Sequence, residues 1–228
     1  MWSARTELLI GKDNCEKLTK AHVTVVGIGG VGGYVAVLLA RAGIGNLTLI
    51  DFDRVDETNI NRQIVASQST IGKLKTEVLK EMIKSINPGC NITIFSERLT
   101  ETNIKDMIQS EDNYVVDCID SVKDKVALCS YCYFNNIKIV SAMGAGNRFD
   151  IPNFYVTDVF KTSNDGLAKV MRKALKEKGV QNLDVVTSKS VAVKTNTKEI
   201  GSISYYPCAS ACVISAFVVN NLINEKTN

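Results

Sequence analysis

Residues 21–33 read AHVTVVGIGGVGG, and this stretch decides the fold. Val23, Thr24, Val25 and Val26 make a short β-branched run, after which Gly27, Gly29 and Gly32 satisfy G-x-G-x-x-G. Directly after a strand, that spacing lets the backbone turn sharply, approach phosphate oxygens and open a helix whose N-terminal dipole favours negative charge. Beyond the glycines, Val31, Val35, Leu38, Leu39 and Ala42 share one helical face, and Gly43 supplies a left-handed stop. Further apolar runs, NLTLID, CNITIF, NYVVD and IKIVSA, alternate with stretches of helical spacing. The alternation predicts an α/β fold, a Rossmann-like, mainly parallel sheet with flanking helices.

With 228 residues and 45% apolar content, the chain has the size of one α/β domain over residues 1–228. A nucleotide-binding half is expected at about 20–142 and a substrate-facing half at about 143–228. In the latter, NFYVTDVF looks like another strand, and Leu167, Val170, Met171, Ala174 and Leu175 mark a helix ending before Gly179. Residues 181–204 look irregular, with SKSVAVKTNTKEIGS expected as a mobile loop near the substrate. CASACVISAFVVNNLI reads as a buried closing helix, too short and too interrupted by Ser and Asn to span a bilayer. A net charge of +3 permits contact with a polyanion without implying an extended nucleic-acid surface. Seven scattered cysteines and no apolar leader point to a reduced, cytoplasmic setting. His22, the only histidine, opens the first strand and reads as structural.

Asp51 ends the second strand, where a carboxylate accepts hydrogen bonds from ribose hydroxyls. Nicotinamide, flavin, methyl-donor and ATP sites all share that feature. The next residues, DFDRVDETNINRQ, favour ATP: Asn59, Arg62 and Gln63 form a polar group near Asp53, and Lys75 comes soon after in TIGKLK. A pyrophosphate is largely satisfied by loop amides, whereas a triphosphate carries about four charges and wants Arg, Lys and a metal. No GxxxxGK[ST] occurs, so a P-loop is not the phosphate site. In VVDCIDS, Asp120 projects from the carboxyl end of the fourth strand, either to hold magnesium or to cap the next helix.

GIGGVGG, LIDFDRVDETNINRQ, TIGKLK and VVDCIDS, in this order, resemble the adenylating domain shared by ubiquitin-activating enzymes and the bacterial ThiF and MoeB proteins. The resemblance implies that Gly27, Gly29, Gly30, Gly32, Asp51, Asp53, Asn59 and Gln63 bind ATP. It also implies that Arg62 and Lys75 act on the phosphates and that Asp120 works with magnesium. The shared reaction is attack of a carboxylate on the α-phosphorus. Residues 141–179 and RTELLIG near the start are similar to one subfamily, the tRNA threonylcarbamoyladenosine dehydratases. That likeness implies adenylation of the threonyl carboxylate beside the anticodon and its cyclisation; the alternative is activation of a sulfur-carrier protein's C-terminal glycine. Gly166 stands where the subfamily has proline. No zinc is expected, since Cys208 and Cys212 have CxxxC spacing. Family members form homodimers in which an N-terminal arginine reaches the partner's ATP, the role implied for Arg5. Arg148, Lys161, Lys169, Arg172, Lys173 and Lys176 are the expected tRNA contacts. A monovalent cation and cysteine desulfurase or sulfur-acceptor partners are left open.

Overall fold

A seven-stranded sheet of order β3-β2-β1-β4-β5-β7-β6 organises the chain, for which a computed structural model describes residues 2–108, 113–197 and 199–224. Its strands are β1 (His22–Val26), β2 (Asn46–Ile50), β3 (Asn91–Phe95), β4 (Tyr114–Asp117), β5 (Ile139–Ala142), β6 (Phe154–Asp158) and β7 (Asp184–Ser188). Neighbours are parallel throughout except β6 and β7. The helices are α1 (Ala4–Ile10), α2 (Lys12–Lys20), α3 (Gly32–Ala42), α4 (Lys75–Ile86), α5 (Ile104–Met107), α6 (Val122–Phe134), α7 (Gly166–Lys178) and α8 (Tyr205–Asn224). From β1 the chain winds outward through β2 and β3, then returns to lay β4 on the other side of β1. The carboxyl ends of β1 and β4 therefore flank a topological switch point, where open α/β sheets place ligands.

Strand alternation divides the core into two layers. Val23, Val25, Tyr114 and Val116 share a buried cluster with Val35, Leu39, Ile214 and Val218. Val26 and Val115 instead join Leu128, Met171 and Leu175. α3 ends as the sequence predicts, with Gly43 at φ +102°. α7 begins at an Asp165 cap that accepts from the Ala168 amide at 3.0 Å and ends at Gly179, φ +84°.

Two expectations are corrected. The stretch taken as irregular from residue 181 contains β7, buried between β5 and β6, because Val185, Val186 and Thr187 are fully covered. Residues 181–183 before β7 and the described residues between Ser188 and α8 are loop, and Lys198 lies outside the described residues. α8 is also 20 residues long, enough by length and composition to cross a membrane. Its interior contacts set its place here: Tyr206, Ile214 and Val218 are fully buried, as expected of a closing helix.

Candidate functional site

The glycine loop is fixed by steric necessity. A Cβ on Gly27, whose φ is +88°, would sit 2.7 Å from the Cys118 carbonyl oxygen, and one on Gly32 would sit 1.8 Å from that of Gly27. Gly29, by contrast, faces open space, and the N-cap of α3, Val31, offers no side-chain cap. Loop and helix start thus leave room for an anion.

Asp51 lies at the end of β2 and is buried. Its two oxygens accept from the Ile28 amide at 2.5 Å and the Asp53 amide at 2.7 Å. Burial nevertheless raises its pKa, opposed by those hydrogen bonds and by the charge of Lys75. Lys75, buried at the start of α4, pairs with Asp53 at 2.8 Å. Asn59 sits in a 3-10 turn, Glu57–Asn59, capped by Asp56. Its side-chain oxygen accepts from the Asp56 amide at 3.2 Å. Arg62 is steadied by hydrogen bonds to the Thr58 carbonyl at 2.7 Å and the Asn61 side chain at 2.9 Å. Gln63 is buried with its Oε1 unpartnered, a spare acceptor inside a polar cleft. Asp120 lies just past β4 and is exposed; Ser121 is the N-cap of α6.

All of these groups line one cavity of about 730 Å³, together with Gly27, Gly29 and Gly30. Ala145, Gly146, Ile200 and Ser202 form another part of its wall, and Pro207 packs beside Gly30. The Asn61 amide nitrogen bridges to that wall through the Ser202 carbonyl, at 3.0 Å. The charge balance runs against a purely basic phosphate pocket. Among the described lining residues Arg54, Arg62, Lys75 and Arg98 are outnumbered by Asp51, Asp53, Asp56, Glu97, Asp120 and Asp124. Such a cleft accepts a triphosphate best together with a divalent cation, which suits a hard oxygen ligand such as Asp120. Cys118 also faces the cavity, but burial pushes its thiol up to about 12.

A family model described as the ThiF family matches residues 4–205. The chain belongs to the ThiF family. The tRNA threonylcarbamoyladenosine dehydratase of Haemophilus influenzae is 44% identical over 165 residues, covering 72% of this chain and 63% of that protein, just under two thirds of its length. The protein of the same name from Bacillus subtilis is 34% identical over a 240-residue alignment, covering 97% of this chain and 94% of its own. A crystal structure of the Escherichia coli dehydratase, TcdA, in complex with ATP is similar with a TM-score of 0.91 at 36% identity, covering 96% of this chain and 93% of that one.

Not every residue expected from the ThiF resemblance converges on the cavity. Arg5 is exposed on α1, away from the cavity lining. Arg148, expected as a tRNA contact, is buried and committed internally. It donates to Ser190 O at 3.0 Å, Gly144 O at 2.6 Å and Asn164 O at 3.4 Å, and lies 3.9 Å from Asp165. Arg172 is half-buried and donates to Thr162. Lys161, Lys169, Lys173 and Lys176 are exposed. His22 bonds Thr48 at 2.8 Å across the β1–β2 pair, a structural use as expected. Sequence reasoning misses Arg98, a cavity residue stacked on Phe52 and bonded to Asp124 at 2.7 Å. Its position in SERLT, just past the carboxyl end of β3, is the signal that could have found it.

Proposed function

We propose that this chain adenylates the threonyl carboxylate of threonylcarbamoyladenosine in tRNA with ATP, releasing pyrophosphate, and that a nucleophile of the substrate then closes a ring on the activated carbonyl and expels AMP, leaving the nucleoside one water lighter. The observation that carries the reading is the convergence of the glycine loop, Asp51, Arg62, Lys75 and Asp120 on one cavity, in a chain similar over nearly its whole length to proteins named for that dehydration. Glycine-loop amides and Asp51 place the nucleotide. Arg62 and Lys75 offset charge that builds on the phosphates as the substrate carboxylate attacks the α-phosphorus. Asp120 holds magnesium, which supplies further charge compensation when bound. Ring closure uses a nucleophile carried by the substrate's own carbamoyl-bearing group, so no enzyme thiolate is required; burial, which pushes the Cys118 thiol up to about 12, is in keeping with this.

The substrate tRNA lies along α7, where Lys169, Lys173 and Lys176 recur at helical spacing beside Lys161. Two copies pair, with Arg5 reaching the partner's nucleotide. The bare apolar side chains of α1 support that pairing, Leu8 and Leu9 being 88% and 84% exposed. Residues 20–142 bind the nucleotide and 143–228 face the substrate, in the cytoplasm. Incubating purified protein with ATP, magnesium and modified tRNA, then analysing nucleosides by mass spectrometry, tests the reading. Loss of one water from the threonyl-bearing base is the expected result. Pyrophosphate release only with a glycine-ended carrier protein would assign the other activity instead.

A further inference from the structure

Behind the cavity lies an ion pair that the adenylation and ring closure do not use. Asp117, the last residue of β4, and Lys125, one turn into α6, are both fully buried, with the ammonium 2.9 Å from a carboxylate oxygen. The pair grips one residue from both sides. Asp117 Oδ1 accepts from the Ile119 amide at 3.0 Å, and Lys125 Nζ donates to the Ile119 carbonyl at 3.1 Å. That carbonyl belongs to the peptide unit joining Ile119 to Asp120. Asp117 Oδ2 is held in turn by the Ser141 hydroxyl at 2.6 Å and the Cys129 thiol at 3.4 Å. A buried ion pair is a poor source of stability, because desolvating both charges offsets their attraction and apolar side chains of similar volume serve as well. What an apolar pair does not provide is a donor and an acceptor on the two sides of Ile119.

We propose that Lys125 is a positioning residue that, with Asp117, fixes the backbone of Asp120 so that its exposed carboxylate meets the metal bound with the nucleotide. This rests on the role proposed for Asp120 in holding magnesium. The informative variant is the double substitution Asp117→Asn, Lys125→Met, which keeps an acceptor for the Ile119 amide and strands no buried charge, yet removes the donor to the Ile119 carbonyl. ATP affinity is measured by calorimetry with magnesium and with chelator, beside thermal unfolding and the magnesium dependence of pyrophosphate release. The expected result is unchanged ATP binding in chelator, loss of the gain that magnesium confers, and a magnesium requirement raised about tenfold or more, the scale on which residues behind a ligand affect metal affinity. Lys125→Arg, which retains the charge and a donor, should recover most of the response and remains informative if the double variant does not fold. A full magnesium response in the folded double variant overturns the proposal, as does Lys125→Arg behaving no better than a folded double variant, or, where that variant does not fold, showing no magnesium response. Asp120→Asn measured in parallel separates the two ideas. If it keeps the magnesium response, the reading of Asp120 fails and the proposal with it; if it loses the response while the double variant keeps it, only the link through Lys125 fails.

Discussion

The two walls of the cavity are built differently. The nucleotide-facing floor is closely tied down: Gly27 and Gly32 admit no side chain, both oxygens of Asp51 accept backbone amides, and the Asp117–Lys125 pair clamps the peptide before Asp120. Among the described residues, the wall of Ala145, Gly146, Ile200 and Ser202 hangs from few points. Asn147, itself at φ +55°, exchanges hydrogen bonds with Gly201 and accepts from the Val193 amide at 2.6 Å, and Asn61 reaches Ser202. Ile200 projects beside Gly146, 76% exposed. A rigid floor beside a thinly attached wall suits a site that must fix a small, invariant nucleotide and admit a bulky second substrate.

Removing charge at the floor should give the largest effect. Asp120→Ala and Arg62→Ala should each lower turnover about a hundredfold or more while leaving the unfolding temperature near that of the parent. Near-normal rates in both folded variants would mean the floor does not carry the chemistry. The contrast between walls is sharpened by two alanines. Gly32→Ala forces a methyl onto the Gly27 carbonyl and should destabilise by about 3 kcal/mol in urea unfolding, the upper range for overpacking. A Cβ on Gly146 meets the exposed Ile200 side chain at 2.2 Å and backbone only at the Gly201 carbonyl oxygen, 3.4 Å away. Gly146→Ala should leave stability and ATP affinity nearly unchanged and raise the KM for tRNA about tenfold, equivalent to roughly 1.4 kcal/mol. Equal effects of the two on unfolding would erase the distinction.

Asp51 gives a pH test. Its carboxyl is held above the ordinary 3.8, first by burial. Such a group favours the fold in its neutral form; that contribution is complete below the unfolded value and disappears as pH rises through the folded one. At neutral pH, where the ionised form is needed to accept from ribose, Asp51 therefore opposes stability. Asp51→Asn should weaken ATP binding and nonetheless lower the unfolding temperature, because its amide nitrogen sets a donor against one of the two backbone N–H groups that the carboxylate accepts from. The parent's affinity should fall on acidification from above the usual carboxylate range, and the variant's should fall less. The smallest effect concerns Gly166, the first residue of α7, preceded by Asp165 in the extended conformation that proline requires. Gly166→Pro should stabilise by about 0.4–1 kcal/mol, read as a higher unfolding midpoint.

The floor is legible in the sequence because its determinants are local. Glycines at fixed spacing, a carboxylate at a strand end and cations within a few residues of one another declare themselves without knowledge of the fold. Arg148 reads as a surface cation because, beyond the nearby Gly144 carbonyl, its partners Ser190 and Asn164 lie 42 and 16 residues away. The Asn61 to Ser202 bridge spans 141 residues and leaves no local trace. β7 escapes notice because DVVTS is short and passes directly into a polar stretch. The acidic balance of the cavity is equally hidden, since Glu97, Arg98 and Asp124 arrive from elements far from the glycine run.

Cys118 carries a consequence for chemical safety. A thiol sulfur beside an activated acyl group invites thioester formation, which would divert each turnover onto the protein. Burial holds the Cys118 thiol well above its ordinary range, so the fold favours its neutral form. In the proposed reaction, a neutral thiol would leave the mixed anhydride to the substrate's own nucleophile.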